Sequence, residues 1–199
     1  MRSTLAFAVT LLLALPAAAV AQHAGAAPAL PPTTAPAEAR QFDFLIGQWE
    51  LEVKPKVSSL AAMIHGAPKL VGSWKGWRSL DGFGVEDELR IVDASGNPMS
   101  MSKALRVYDR NKNHWTIVGL DVYGARVSNS TAQWKDSEMR IEGSGVDGEG
   151  KAYVSRTRYF AIGADAFRMQ QDRSFDKGQT WDEATLTIEA KRVAASAAH

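Results

Sequence analysis

The chain has 199 residues, with 23 Lys and Arg against 22 Asp and Glu, 4 His and no Cys. A balanced charge without long like-charged runs gives no electrostatic footprint for nucleic acid or for an anionic membrane, and neither is expected as a partner. With no cysteine there is no disulfide framework, so burial alone must hold the fold.

Met1-Arg2 is followed by an apolar run from Leu5 to Leu15, a break at Pro16 and the small-x-small triplet Ala19-Val20-Ala21. That pattern is a signal peptide over residues 1–21, with the mature chain starting at Gln22 and an exported, periplasmic or extracellular location. Loss of Arg2 leaves 22 basic against 22 acidic residues, a formal charge of zero. No later stretch is long and apolar enough to span a bilayer as a helix, so no membrane insertion is expected after cleavage. Residues 22–40 hold Pro28, Pro31, Pro32 and Pro36 among alanines and read as a flexible tether. Residues 41–193 are long enough for one domain with a real core, and residues 194–199 read as a disordered tail.

The domain opens with Phe42-Asp43-Phe44-Leu45-Ile46-Gly47-Gln48-Trp49, after which Trp49, Leu51 and Val53 alternate with Glu50, Glu52 and Lys54. A period of two is a half-buried strand. Leu60, Met63 and Ile64 then fall at helical spacing, as a short helix or an apolar flap. Leu70 to Leu80 is strand-like and carries Trp74 and Trp77, and Phe83, Val85, Leu89 and Ile91 alternate up to Val92. Asp93-Ala94-Ser95-Gly96-Asn97-Pro98 is a strong hairpin signal, returning through Met99, Met101, Leu105 and Val107. Further strands follow over 115–123, 127–134, 138–143, 153–162, 166–174 and 181–192, separated by polar or glycine-rich turns. About ten short strands with hardly any helix predict an all-β fold, a single antiparallel up-and-down β-barrel.

Ser174-Phe175-Asp176-Lys177-Gly178-Gln179-Thr180-Trp181 fits the Asp-box pattern S-x-D-x-G-x-T-W. One copy reads as a structural turn: Asp176 binds turn amides, Gly178 supplies a positive φ and Trp181 packs beneath. Ser100-Met101-Ser102-Lys103 matches S-x-x-K, but strand alternation sends Ser100 and Lys103 to opposite faces, so the serine-acylase reading fails. The histidines His23, His65, His114 and His199 have no partners at metal-ligand spacing and none lies inside a strand. Neither a metal nor another cofactor is expected; haem-binding barrels with a Gly-x-Trp step need an axial histidine, for which only His65 or His114 could reach a barrel mouth.

Polar residues on apolar faces single out the interior. Asp87 shares a face with Val85, Leu89 and Ile91, and Lys103 shares one with Met101, Leu105 and Val107. If Ile91 pairs with Met99 across the hairpin, Asp87 lies opposite Lys103; burial of either charge alone costs several kcal/mol, so pairing or a wet cavity is expected. Gln171 and Arg173 join the face of Phe167 and Met169. The ligand-binding set read from this pattern is Asp87, Met101, Lys103, Gln171 and Arg173, with a satisfied buried ion pair as the alternative.

The Phe42–Trp49 octet resembles the opening signature of an uncharacterised bacterial family of lipocalin-like (calycin-type) barrels. Arg106-Val107-Tyr108-Asp109, Trp115, Trp134 with Glu138-Met139, and the Asp-box support the likeness over Phe42 to Arg192. The resemblance implies a lipocalin-like fold and no established chemistry. In lipocalins the Gly-x-Trp tryptophan closes the barrel floor under an arginine of a late strand; Gly47 and Trp49 match the first part, and Arg192 is the counterpart for the cation–π partner. The lipocalin disulfides and C-terminal helix have no counterpart here.

The leading expectation is an exported, non-enzymatic barrel that binds a small, largely apolar molecule, with no assigned catalytic residue. A second is an enzyme on a small molecule with Asp87 as acid/base beside Lys103 or Arg173. A third is a tethered structural or interaction module, which exposed Trp74 or Trp77 would favour and their burial would count against.

Overall fold

The computed structural model describes residues 34–57 and 68–194. The leader, most of the tether, the Leu60–Ile64 segment with His65, and the tail from residue 195 onward lie outside the described residues.

Ten antiparallel strands form the domain: β1 Gly47–Pro55, β2 Leu70–Ser79, β3 Gly84–Asp93, β4 Pro98–Asp109, β5 His114–Asp121, β6 Arg126–Lys135, β7 Glu138–Val146, β8 Ala152–Phe160, β9 Ala166–Ser174 and β10 Asp182–Arg192. Each pairs with its chain neighbours and β10 pairs with β1, giving a closed up-and-down barrel. Closure satisfies the edge N–H and C=O groups that an open sheet leaves exposed. The lower end carries the start of β1 and the end of β10; the upper end carries the β3–β4, β5–β6, β7–β8 and β9–β10 turns.

Two short 3₁₀ turns, Ala37–Arg40 and Asp43–Leu45, precede β1 and stopper the lower end. Ala39, Phe42 and Leu45 are buried, so the last residues of the segment read as tether belong to the folded body. The reason is sequence-local: Phe42, Phe44 and Leu45 present apolar side chains on one side of a tight turn. Phe42 meets Trp115 edge-on at 4.8 Å, and Phe44 meets Phe167 at 5.5 Å. Arg78 pins the plug by donating to the carbonyls of Ala39 (3.0 Å) and Gly82 (3.1 Å) and by pairing with Asp43. Gly76 is required where the chain crosses: a Cβ there would stand 2.3 Å from the Leu45 carbonyl oxygen.

The β3–β4 hairpin corrects the register read from the sequence. Asp93 accepts from the amides of Ser95 (2.8 Å) and Asn97 (2.9 Å), closing the turn, and Pro98 has no N–H to give the ladder. The ladder then slips: Val92 pairs with Pro98 but Ile91 pairs with Ser100, leaving Met99 as the extra residue of a β-bulge. One inserted residue exchanges the two faces of a strand. Ser100, Ser102, Ala104, Arg106 and Tyr108 therefore share the inward parity of β4, while Met101, Lys103, Leu105 and Val107 face out.

Candidate functional site

The lower half of the barrel is solid. Trp49, Trp74, Trp115, Tyr159 and Phe167 are buried, and ring centroids 4.8–6.0 Å apart link Phe167 to Trp49 (4.8 Å), Trp74 (5.7 Å) and Tyr159 (6.0 Å). Trp49 donates from Nε1 to the Leu45 carbonyl at 3.0 Å. Arg192 lies over the Trp49 ring at 4.0 Å and donates to the carbonyls of Ile46 (2.9 Å) and Ala164 (2.6 Å), tying β10 to the plug. Gly47, at φ 124°, leaves room for that guanidinium: a Cβ there would stand 2.3 Å from Nη1.

Within this floor, against the Phe42 ring at 5.1 Å, sits a buried ion pair. Asp87 of β3 is inward and bonded to Arg106 of β4, not to Lys103. The pairing follows from the bulge, which turns Arg106 inward and sends Lys103 out. On the outside Lys103 bridges Glu86 at 3.0 Å and lies 5.2 Å from the Trp77 ring centroid. Met101 is likewise on the outer face. Burial pushes the Arg106 guanidinium below its ordinary pKa, with Tyr159 beside it acting the other way, and burial pushes the Tyr159 phenol up. Two buried donors here, Trp74 Nε1 and Arg106 Nε, have no acceptor among the described residues. An acid/base role for Asp87 would require it to give up Arg106, which leaves a guanidinium buried and uncompensated.

The upper half differs from wall to wall. On the β1–β3 side Leu51, Val53 and Ile91 are buried, as is Ile188 of β10. On the opposite side the inward positions are Gly119 in β5, Ser128 and Ser130 in β6, Gly143 and Gly145 in β7, and Tyr153, Ser155 and Thr157 in β8. Small side chains cannot fill the space that bulky ones fill below. The wall also parts here. The β6–β7 ladder ends at Ser130–Gly143, whereas β5–β6 continues up to Asp121–Arg126 and β7–β8 up to Val146–Ala152. The two hairpins splay above that last rung, leaving a lateral gap. A cavity of about 920 Å³ occupies this quadrant, lined by inward residues such as Ser128, Ser130, Ile141, Ser155 and Gln171 and by outward residues of the two lips, Val127 and Val146.

Gln171 and Arg173, both of β9, point to this side. Gln171 pairs in register with Thr157 and Arg173 with Ser155. Arg173 donates from Nε to Gln171 Oε1 at 2.9 Å and lies 4.4 Å from the Tyr153 ring centroid. On the far lip Asp121 and Arg126 satisfy one another at 2.9 Å, and that bond, with the Gly124 amide, holds the Asp121 carboxyl below its usual range. The structure thus separates the five ligand-binding residues read from the sequence: Gln171 lines the cavity, Arg173 adjoins it through Gln171 and Tyr153, Asp87 lies in the floor, and Met101 and Lys103 face outward. The serine and glycine positions of β6–β8 were missed; their signal is the run of small residues at every second position.

The Ser174–Trp181 turn caps β9 just above. Asp176 accepts from Ser174 Oγ (2.6 Å), Thr180 N (2.9 Å) and Thr180 Oγ1 (2.6 Å), which lowers its pKa to about 2. Gly178 takes φ 91°, and Arg156 lies 4.4 Å from the Trp181 ring centroid. A second hollow, about 470 Å³, lies on the outer face of β7–β10. Its three arginines are each paired, as in Arg156 with Asp172 (2.7 Å) and Arg158 with Glu138 (3.5 Å). Among the described residues no three His, Cys, Asp or Glu are grouped to hold a metal ion, and His114 lies at the lower turn on the outer parity of β5.

No protein-family model matches the chain, and no curated protein matches it. Solved structures do. The S-type phycobiliprotein lyase CPES from Guillardia theta superposes with a TM-score of 0.54 at 7% identity, over 79% of this chain and 93% of that one. A structure of EF1p2_mFAP2b bound to DFHBI gives 0.41 at 10% identity, over 78% and 98%. A de novo designed fluorescence-activating β-barrel gives 0.38 at 10% identity, over 76% and 95%. At these identities the likeness is one of fold, and the chain has a lipocalin-like β-barrel fold.

Proposed function

We propose that this chain is an exported β-barrel that binds one small, largely apolar molecule in the upper half of its interior. The observation that carries the reading is the contrast along the barrel axis: a lower half filled by aromatic rings and an upper quadrant of serine and glycine that borders a laterally open hollow of about 920 Å³. That volume falls in the range of small-molecule sites, roughly 300–1,000 Å³. The mixture of Ile141 with hydroxyl groups suits an apolar body carrying a few polar atoms. Native mass spectrometry of the full chain purified from its host tests the reading: a single co-purifying species at one per chain supports it, and a bare chain that takes up no hydrophobic probe rejects it. Export and kinship with the bacterial family sharing the Phe42–Trp49 octet belong to the same proposal. Recovery of the chain outside the cytoplasm with Gln22 at its N-terminus is the outcome that supports export.

A second reading, an interaction module, draws on one observation. Val118, Leu120, Val122, Tyr123 and Val127 are exposed together on the outer face of β5–β6 and the turn between them. Trp74, by contrast, is buried and Trp77 is half-buried under Lys103, so neither contributes to such a surface. Concentration-dependent association in sedimentation, abolished by Leu120→Glu, favours this reading; a monomer at all concentrations and no captured partner reject it.

A further inference from the structure

We infer that the cavity holds an anion: the ligand carries a carboxylate, sulfonate or similar group that docks against Arg173 at the β8–β9 edge, next to the lining residues Tyr153 and Gln171. The inference rests on the small-molecule reading above and adds the chemical class of the molecule.

Arg173 is half-buried on the inward side of β9, and its neighbours Tyr153, Ser155 and Gln171 line the cavity. The carboxylates next to it in the chain and in the ladder are committed elsewhere: Asp172 to Arg156 at 2.7 Å and Asp182 to Lys56 at 2.5 Å. Among the described residues none pairs with Arg173. Its Nε is spent on Gln171, and the Tyr153 ring fixes the plane of the guanidinium, so the two terminal amines are presented at a set angle. A planar fork held in that way suits bidentate recognition of a carboxylate or sulfonate. Because Gln171 turns its oxygen to Arg173, its amide hydrogens are left as further donors.

The surroundings reinforce the sign. Lys151 lies 4.5 Å from the Phe175 ring centroid, Phe175 meets Tyr153 edge-on at 6.0 Å, and Arg173 covers Tyr153, an alternation of cation and ring along this lip. Lys177 also lines the cavity. Across the gap the Asp121–Arg126 pair cancels its own charge. The lining itself holds Asp121, Arg126 and Lys177, one net positive charge, with Ile141 deeper in as apolar surface.

Anilinonaphthalenesulfonate and its uncharged parent, phenylnaphthylamine, share an apolar body and differ by the anion. In fluorescence titrations of the full chain the sulfonate should bind about tenfold more tightly than the parent, the scale of one charge-assisted contact. Arg173→Gln should erase that preference, bringing the sulfonate to the affinity of the parent, with cooperative thermal unfolding reporting that the variant is folded. Arg173→Lys should retain part of it. Equal binding of the two probes to the wild type, or a preference that survives Arg173→Gln, overturns the anion site while leaving the small-molecule reading intact. Failure of both probes to bind the wild type overturns both.

Discussion

Arg106 and Asp87 form an ion pair inside the barrel, with side chains 4% and 3% exposed. Removing one member leaves the other charge buried without compensation, at a cost of about 3–5 kcal/mol. Asp87→Ala and Arg106→Ala should each destabilise the protein by that order in urea unfolding. The double replacement Asp87→Leu with Arg106→Met should recover most of the loss, because paired apolar groups carry no desolvation cost. A double variant no more stable than the singles would contradict the pairing.

Lys103 provides the control. It sits outside, half-exposed, with Glu86 as its ion-pair partner. Exposed pairs contribute about 0–1 kcal/mol, so Lys103→Ala should shift the unfolding midpoint only slightly. A loss as large as that of Arg106→Ala would mean that β4 has the opposite face inward.

This pair shows where strand patterning stops being informative. The strand count and the hairpin at Asp93–Pro98 follow from alternation and turn chemistry, the Trp49–Arg192 contact follows from the lipocalin resemblance, and all are present. The inward face of β4 depends on a single bulged residue, Met99, and apolar Met101, Leu105 and Val107 disguise the outer face as the inner one. Arg106 was overlooked for the same reason. The splaying of β6 from β7 depends on how far each ladder extends, a non-local quantity that alternation within one strand does not encode. Gln171 and Arg173 were legible because β9 is regular and their face is marked by buried Phe167 and Met169.

At the floor, Arg192 combines a ring stack on Trp49 with two carbonyl bonds. Arg192→Lys keeps the charge but loses the planar fork, and should cost about 1–2 kcal/mol. Gly47→Ala should cost at least about 1 kcal/mol, since Ala is strained at φ 124° and its Cβ would displace the same guanidinium. Thermal unfolding of the two single variants and the double variant should show non-additive losses, as both act on one contact.

Acid should loosen the Ser174–Trp181 turn. The Asp176 carboxyl titrates at about 2 in the folded protein because hydroxyl and amide donors favour its ionised form. An unfolded Asp titrates near about 4, so the stabilisation is complete above that value and is lost as pH falls from about 4 to 2. Asp176→Asn should lower stability at neutral pH and flatten the fall between those values. An acid limb identical to that of the wild type would show that the turn does not govern it.

The central claim is that the upper quadrant of the barrel is a binding cavity. Ser130 points into it from the last rung before β6 and β7 part. The most direct measurement is a fluorescence titration of phenylnaphthylamine against the wild type and Ser130→Phe, whose added ring fills the space. Saturable binding at one probe per chain that is lost in Ser130→Phe, with thermal unfolding still cooperative, is the outcome required; absent binding in the wild type, or equal binding by both proteins, would contradict the cavity.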